Sequence, residues 1–333
     1  FDWAMRVWVV LGPPPRGLGH PPPGAPARRP PPRARPDDRI VLAAPHRLRP
    51  IVDLITSVDA MVPTTEGGSL RWDGPTPDLA VNLHGPDTES IVELIKTDAR
   101  RILTYRNPAF PELPGPQWDP DMHLVDRWCH LLEFDGIDAD RRNLGLVPPV
   151  ATTSHRDAVV VHIGAGAPAR RWPPDRFAAV IRHQSVLGRE VVITGDEFER
   201  EIALGIAARA GLPPHRVLAG EQNLIELAAT VAEAALVLCG DTGVAHLATA
   251  FGTRTVQLFG PTPPRRGGPP PHLLARHDVL WAGQVGDPDA DSADAGLLRI
   301  GVSEVLGAID AQLGKHSWAG NTGERPRAYR RVG

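Results

Sequence analysis

The chain has 333 residues, 42% hydrophobic and 23% charged, with a formal net charge of -3. At roughly 150 residues per domain this is about two domains, and the composition excludes a wholly disordered chain and a coiled coil. The charge argues against nucleic-acid binding driven by bulk electrostatics, two cysteines (Cys129 and Cys239) make neither a disulfide framework nor a zinc site, and no apolar run approaches the ~20 residues of a membrane span. The apolar run 5–10 is stopped by Gly12 and Pro13, too short for a signal-peptide core. The expectation is a soluble, cytoplasmic enzyme or binding protein. Two biases mark the coding sequence: 37 prolines, and only Lys96 and Lys315 among 36 basic residues, the other 34 being arginine. With the high Ala and Gly content this is the signature of GC-rich coding.

Residues 5–10 read as a buried first strand. Residues 13–36 then hold eleven prolines, five arginines and no acidic residue. Proline breaks helix interiors, so this stretch is expected to be irregular or polyproline II. Such a loop between two core strands is unusual in a compact domain. Order resumes with a strand at 39–44 and a helix at 46–58, whose Leu48, Ile51, Val52, Leu54 and Ile55 have helical spacing. A strand at 77–84, a helix at 88–99, a strand at 101–105 and a helix at 121–134 follow, and 143–155 reads as a linker. The second half repeats the alternation: strands at 158–163, 190–194, 217–218, 236–239 and 255–259, helices at 174–187, 198–210, 224–233, 243–250 and 302–313. This is the pattern of parallel sheets covered by helices on both faces. The expected domains are 1–150 and 151–313, with a flexible basic tail at 314–333.

The strongest chemical signal is Leu236-Val237-Leu238-Cys239-Gly240-Asp241-Thr242-Gly243-Val244-Ala245-His246. A buried strand ends and a polar turn opens a helix, whose free amides and partial positive charge suit a phosphate. The alternative is that Asp241 or Thr242 simply caps the helix. A second signal is Val161-His162-Ile163-Gly164-Ala165-Gly166-Ala167 followed by Arg170-Arg171-Trp172-Pro173. A small-residue loop admits a diphosphate and an arginine neutralises it. The spacing is not the GxGxxG of a dinucleotide site, which counts against a dehydrogenase. His162 reads equally well as a packed strand-end histidine, and Trp172 as packing. Asp196 and Glu197 after the strand 190–194, and Gly260-Pro261-Thr262 after 255–259, complete four loops on one carboxyl edge. Taken singly, they are solvated carboxylates and an ordinary turn; taken together, they describe one cleft.

The stretch from His162 to Thr262 resembles glycosyltransferase family 9, the ADP-heptose:lipopolysaccharide heptosyltransferases and their relatives. The matching pieces are HIGAG, RRWPPDRF, VVITGDEFER, NLIELAATVAEAALVLCGDTGVAHLATAFGT and VQLFGPT, about a hundred residues in the family's order. Weaker agreement extends upstream through DLAVNLHG and RILTY. The resemblance implies a GT-B fold, two Rossmann-like domains facing across a cleft. It implies a nucleotide-diphosphate sugar, an ADP-sugar, held by the C-terminal domain, a glycan or glycolipid acceptor held by the N-terminal one, and inverting transfer without a metal or other cofactor. Asp241, Thr242, Gly243 and His246 would hold the donor's diphosphate and sugar. Arg170 stands near the phosphates, Glu197 at the nucleoside, and His162, Gly164 and Gly166 in the adjacent loop. A lipid acceptor would bring peripheral contact with the inner face of a membrane, although no amphipathic anchor is evident. The oligomeric state is not legible, and no nucleic-acid partner is expected.

The amino end departs from the family, which has a Gly-rich loop with an acidic residue after the first strand. That acid is expected to be the general base. Here the loop reads Arg16-Gly17-Leu18-Gly19-His20 and the following helix is replaced by proline runs. His20 is the titratable residue in the base's place. The segment has the residue bias of a shifted reading frame, so residues 11–36 are expected to be an aberrant element. Two alternatives to an active transferase follow: an impaired relative that still binds a nucleotide sugar, and a sugar-nucleotide epimerase on the same two-domain plan.

Overall fold

A computed structural model describes residues 7–11, 38–65, 68–314 and 330–331. The chain divides into two compact units between Val147 and Pro148. His20 and nearly all of the expected aberrant segment lie outside the described residues.

In the first unit, strands β1 (Val7–Leu11), β2 (Arg39–Pro45), β3 (Ala60–Thr64), β4 (Leu79–Asn82) and β5 (Ile102–Leu103) form a parallel sheet in the order β3-β2-β1-β4-β5. The strands are apolar runs rather than alternating ones because both faces are covered. On β4, Leu79 and Val81 pack with Trp128, Leu131 and Leu132 of helix α3 (Leu124–Phe134), while Ala80 packs with Leu94 of α2 (Thr88–Ile95). The expected helix at 46–58 is corrected. It is a 3-10 turn at His46–Leu48 followed by a single α-turn, α1 (Arg49–Val52). Beyond it the amides of Leu54, Ile55 and Val58 bond three residues back. The apolar residues Leu48, Ile51, Val52 and Ile55 are buried all the same, because over so short a stretch α and 3-10 spacing present nearly the same face. Strand β3 was not foreseen: it carries Pro63, which an edge strand tolerates and a central one does not.

In the second unit, β6 (Val159–His162), β7 (Val191–Thr194), β8 (Leu236–Gly240), β9 (Thr255–Phe259), β10 (His277–Trp281) and β11 (Arg330–Arg331) are all parallel, in the order β7-β6-β8-β9-β10-β11. Val217 bridges Ile193 of β7, also in parallel. With that bridge counted, the second sheet repeats the strand order of the first. The chain reverses direction across the sheet between β1 and β4 in one unit and between β6 and β8 in the other. Ligands of open α/β sheets bind outside the carboxyl ends of the strands at such a point. Helices α4 (Pro174–Val186), α5 (Arg200–Ala210), α6 (Leu224–Ala232), α7 (Gly243–Phe251), α8 (Ala295–Arg299) and α9 (Val302–Gly314) cover the sheet. The main core joins Val161, Ile193 and Leu238 to Phe177, Ile181, Ile206 and Ile309.

β10 and α8 were not expected. β10 follows a proline-rich stretch, and five residues are too few for α8 to show a period. The tail expected to be flexible is corrected in part: α9 runs through Gly314, and Arg330–Arg331 pair with Leu280 and Trp281. The outer edge of β10 supplies the unpaired backbone groups that make this possible. No helix among the described residues is long and apolar enough to cross a membrane.

Candidate functional site

Strand β8 is buried along its length and ends at Gly240. A Cβ there would lie 3.4 Å from the Arg170 carbonyl oxygen, and one on Gly260 would lie 3.4 Å from that of Ala169. The 3-10 turn Pro168–Arg170 therefore lies against the ends of β8 and β9, with the Arg170 backbone beside Gly240, the residue before Asp241 and Thr242. Both of these are buried. Thr242 is the N-cap residue of α7, in extended conformation, yet its side chain makes no cap hydrogen bond. Its hydroxyl is buried with no partner among the described residues, and so is Nε of Arg170. Side-chain caps are used at some helices, α2 by Asp87 and α6 by Asn223, whose own amide donates to Glu226, and are absent at others, α4 and α5 among them. The capping alternative thus fails for Thr242. A buried hydroxyl without a partner calls for an explanation, and it sits where leading helix amides present partial positive charge. His246 lies three residues after Gly243, on the same face of α7, and is half-buried. Cys239 just behind is fully buried. Burial and the nearby Asp241 push its thiol far up, so it is no nucleophile.

The loop after β6 is built differently. His162 is fully buried, and its Nδ1 lies 3.1 Å from Thr194 Oγ1. Burial drives its pKa down to about 4, so the ring is neutral near pH 7. Gly164 is buried and Gly166 exposed. The Ala165 amide between them donates to Glu199 Oε1 at 3.2 Å, and the Ala165 carbonyl accepts from Nε and Nη2 of Arg171, both at 3.3 Å. Glu197 is exposed past the end of β7, with its Cα 3.0 Å from where a Cβ on Gly220 would stand. Trp172 is a packing residue. It donates to the Ile300 carbonyl at 3.1 Å and meets Phe177 edge to face at 5.0 Å. The turn at Gly260 is held by a bond from the Trp281 indole at 3.1 Å.

The structure therefore gathers Arg170, Asp241, Thr242, Gly243 and His246 around the start of α7. His162, Gly164, Gly166 and Glu197 sit on the neighbouring strand ends of the same sheet. Glu199 was passed over in the sequence, although Asp196-x-x-Glu199 is a capping-box pattern. The reciprocal pair of bonds forms in the turn just before α5: Glu199 Oε2 accepts from the Asp196 amide and Asp196 Oδ1 from the Glu199 amide, both at 2.9 Å. Among the described residues no group of three or more His, Cys, Asp or Glu is placed to hold a metal ion.

The family model for glycosyltransferase family 9 (heptosyltransferase) matches residues 117–283, half of the chain, including this whole carboxyl edge. The chain belongs to glycosyltransferase family 9. It is 28% identical over 213 residues to lipopolysaccharide heptosyltransferase 3 of Escherichia coli, a match covering 57% of this chain. The chain spans about 60% of the length of that curated relative. Among solved structures, a family 9 glycosyl transferase from Veillonella parvula superposes with a TM-score of 0.75 at 21% identity, over 93% of this chain and 98% of that one. The E. coli ADP-heptose lipopolysaccharide heptosyltransferase II superposes with a TM-score of 0.71 at 19% identity, over 94% of this chain and 100% of that one. At such identities the likeness shows the fold, which is the pair of Rossmann-like units of a GT-B protein.

Proposed function

We propose that this family 9 protein transfers a heptose or similar sugar from an ADP-sugar to a hydroxyl of a glycan or glycolipid acceptor, with inversion and without a metal ion. The observation that carries the reading is the uncapped start of α7 with the unpartnered Thr242 hydroxyl beside it. An arrangement of amides, hydroxyl and Arg170 suits a diphosphate, the group on which negative charge grows as the sugar–phosphate bond breaks. Asp241 and His246 would face the sugar, and Glu197, exposed past the β7 end, the nucleoside. The adenine base and heptose follow relatives whose names carry ADP-heptose and lipopolysaccharide.

In direct displacement, the acceptor oxygen bonds to the anomeric carbon while the bond to the diphosphate breaks. A base takes the acceptor's proton, and the diphosphate leaves with the electron pair. The family resemblance puts that base in the loop after β1, where His20 stands outside the described residues. A glycolipid acceptor would bring the protein to a membrane surface as a peripheral partner.

The test is calorimetry of ADP, GDP and UDP on the chain and on Asp241→Ala, beside a transfer assay. ADP is expected to bind selectively and to lose its binding in the variant. Transfer should fall by about a hundredfold or more, the scale of losing a group that acts on developing charge. A folded chain that binds none of the three overturns the reading. The proline and arginine bias of residues 13–36 favours one second reading, an impaired relative, which binds ADP but turns nothing over.

A further inference from the structure

Ala165 is held from both sides by charged side chains. Glu199 takes its amide and Arg171 its carbonyl. The second Glu199 oxygen takes the Asp196 amide, so one carboxylate ties the loop after β6 to the loop after β7. The carboxylate occupies the space beside two glycines. A Cβ on Gly164 would collide with it, and one on Gly195 would stand 2.9 Å from Oε2. Packing and hydrogen bonds act together on this loop, since Ile163, Gly164, Ala165 and Ala167 are all buried. Glu199 and Arg171 also line a cavity of about 380 Å³, together with Ile163, Trp172, Phe177 and Ile202. The bonds to the amide and the carbonyl of Ala165 add a directional restraint to a loop that is also packed. Glu199 stays buried at a cost: burial pushes its carboxyl up, Asp196 adds to this, and the two amides and Arg171 pull it back.

We infer that Glu199 and Arg171 are positioning residues that clamp the Ala165 peptide and so fix the loop after β6 as a rigid wall of the donor site. The functional part rests on the donor reading above. One consequence separates the two loops of that site. The Ala165 amide is committed to a carboxylate, so the glycine loop shapes the pocket, while the phosphates take their donors from the start of α7. The loop is where a phosphate cradle is expected from sequence, and the clamp makes it a wall instead.

The test pairs amide exchange with nucleotide binding in the full chain, in Glu199→Ala, Glu199→Gln and Arg171→Gln. In Glu199→Ala the Ala165 amide is expected to exchange at least about tenfold faster, and ADP to bind about tenfold more weakly, the scale of leaving one buried donor unserved. Glu199→Gln keeps one acceptor oxygen and should recover part of both. The KM for the acceptor should stay as it is, which a general loosening of the fold would not achieve. Arg171 is exposed, so Arg171→Gln carries the same comparison should Glu199→Ala not fold. Unchanged Ala165 exchange in the folded variants overturns the clamp, and unchanged ADP affinity overturns its role at the site. If the unaltered chain binds no nucleotide while Ala165 exchange still depends on Glu199, the donor reading falls and the clamp stands.

Discussion

The two sheets share a strand order and therefore a crevice at the same topological place, yet their polar residues there are used in opposite ways. At the end of β4, Asn82 is fully buried. Its Nδ2 lies 3.0 Å from the Gly85 carbonyl, 2.9 Å from Ser90 Oγ and 3.1 Å from Thr104 Oγ1, and its Oδ1 accepts from the His84 amide at 3.0 Å. The next helix, α2, is capped by Asp87 through the Ser90 amide at 2.8 Å. At the end of β8, the Thr242 side chain does not cap the helix and its hydroxyl has no partner among the described residues. The first end is thus a closed hydrogen-bond knot, while the second leaves a buried hydroxyl without a partner among the described residues, where buried polar groups are nearly always paired. A shared topology locates a crevice, and hydrogen-bond accounting says which strand end serves the fold.

The contrast breaks if Asn82 turns out to matter for ligand and little for stability. Asn82→Ala leaves Ser90, Thr104, the Gly85 carbonyl and the His84 amide short of a partner. It is expected to cost about 3 kcal/mol or more, read by urea unfolding, with ADP affinity of the folded protein unchanged. A slightly smaller effect is expected from His162. Its pKa is lowered to about 4 in the fold from an ordinary 6.5 by burial, so the unfolded chain binds more protons between these values. The stability it contributes is complete above pH 6.5 and is lost as the pH falls towards 4, at most on the order of 3 kcal/mol. Unfolding midpoints measured across that window should fall more steeply for the natural chain than for His162→Gln. Equal slopes would show that His162 is not held neutral.

Much of this was legible in the sequence. The apolar run of β8 followed by Asp-Thr-Gly fixed the strand end, the turn and the helix start, because a buried parallel strand and a following helix leave little choice of register. Whether Thr242 caps α7 was not legible, since a threonine at that position suits a cap or a ligand alike and the orientation of its hydroxyl decides. The 46–58 segment shows the same limit: its apolar spacing foretold burial but not the 3-10 turns. β3 was hidden by Pro63, and α8 by its five-residue length. Glu199 falls inside the helix expected at 198–210, where an acidic residue in the first turn reads as a solvated group, yet the structure buries it.

The central claim is that the start of α7 is shaped for a diphosphate, and the most direct measurement is Thr242→Val, which keeps the side chain's shape and removes the hydroxyl. Thermal stability should hold or rise slightly, because a buried unpartnered group is lost. ADP affinity should fall about fivefold to tenfold, the worth of one hydrogen bond. A variant that is less stable yet binds ADP as tightly as the natural chain would contradict the account, since the hydroxyl would then be serving the fold and not the donor.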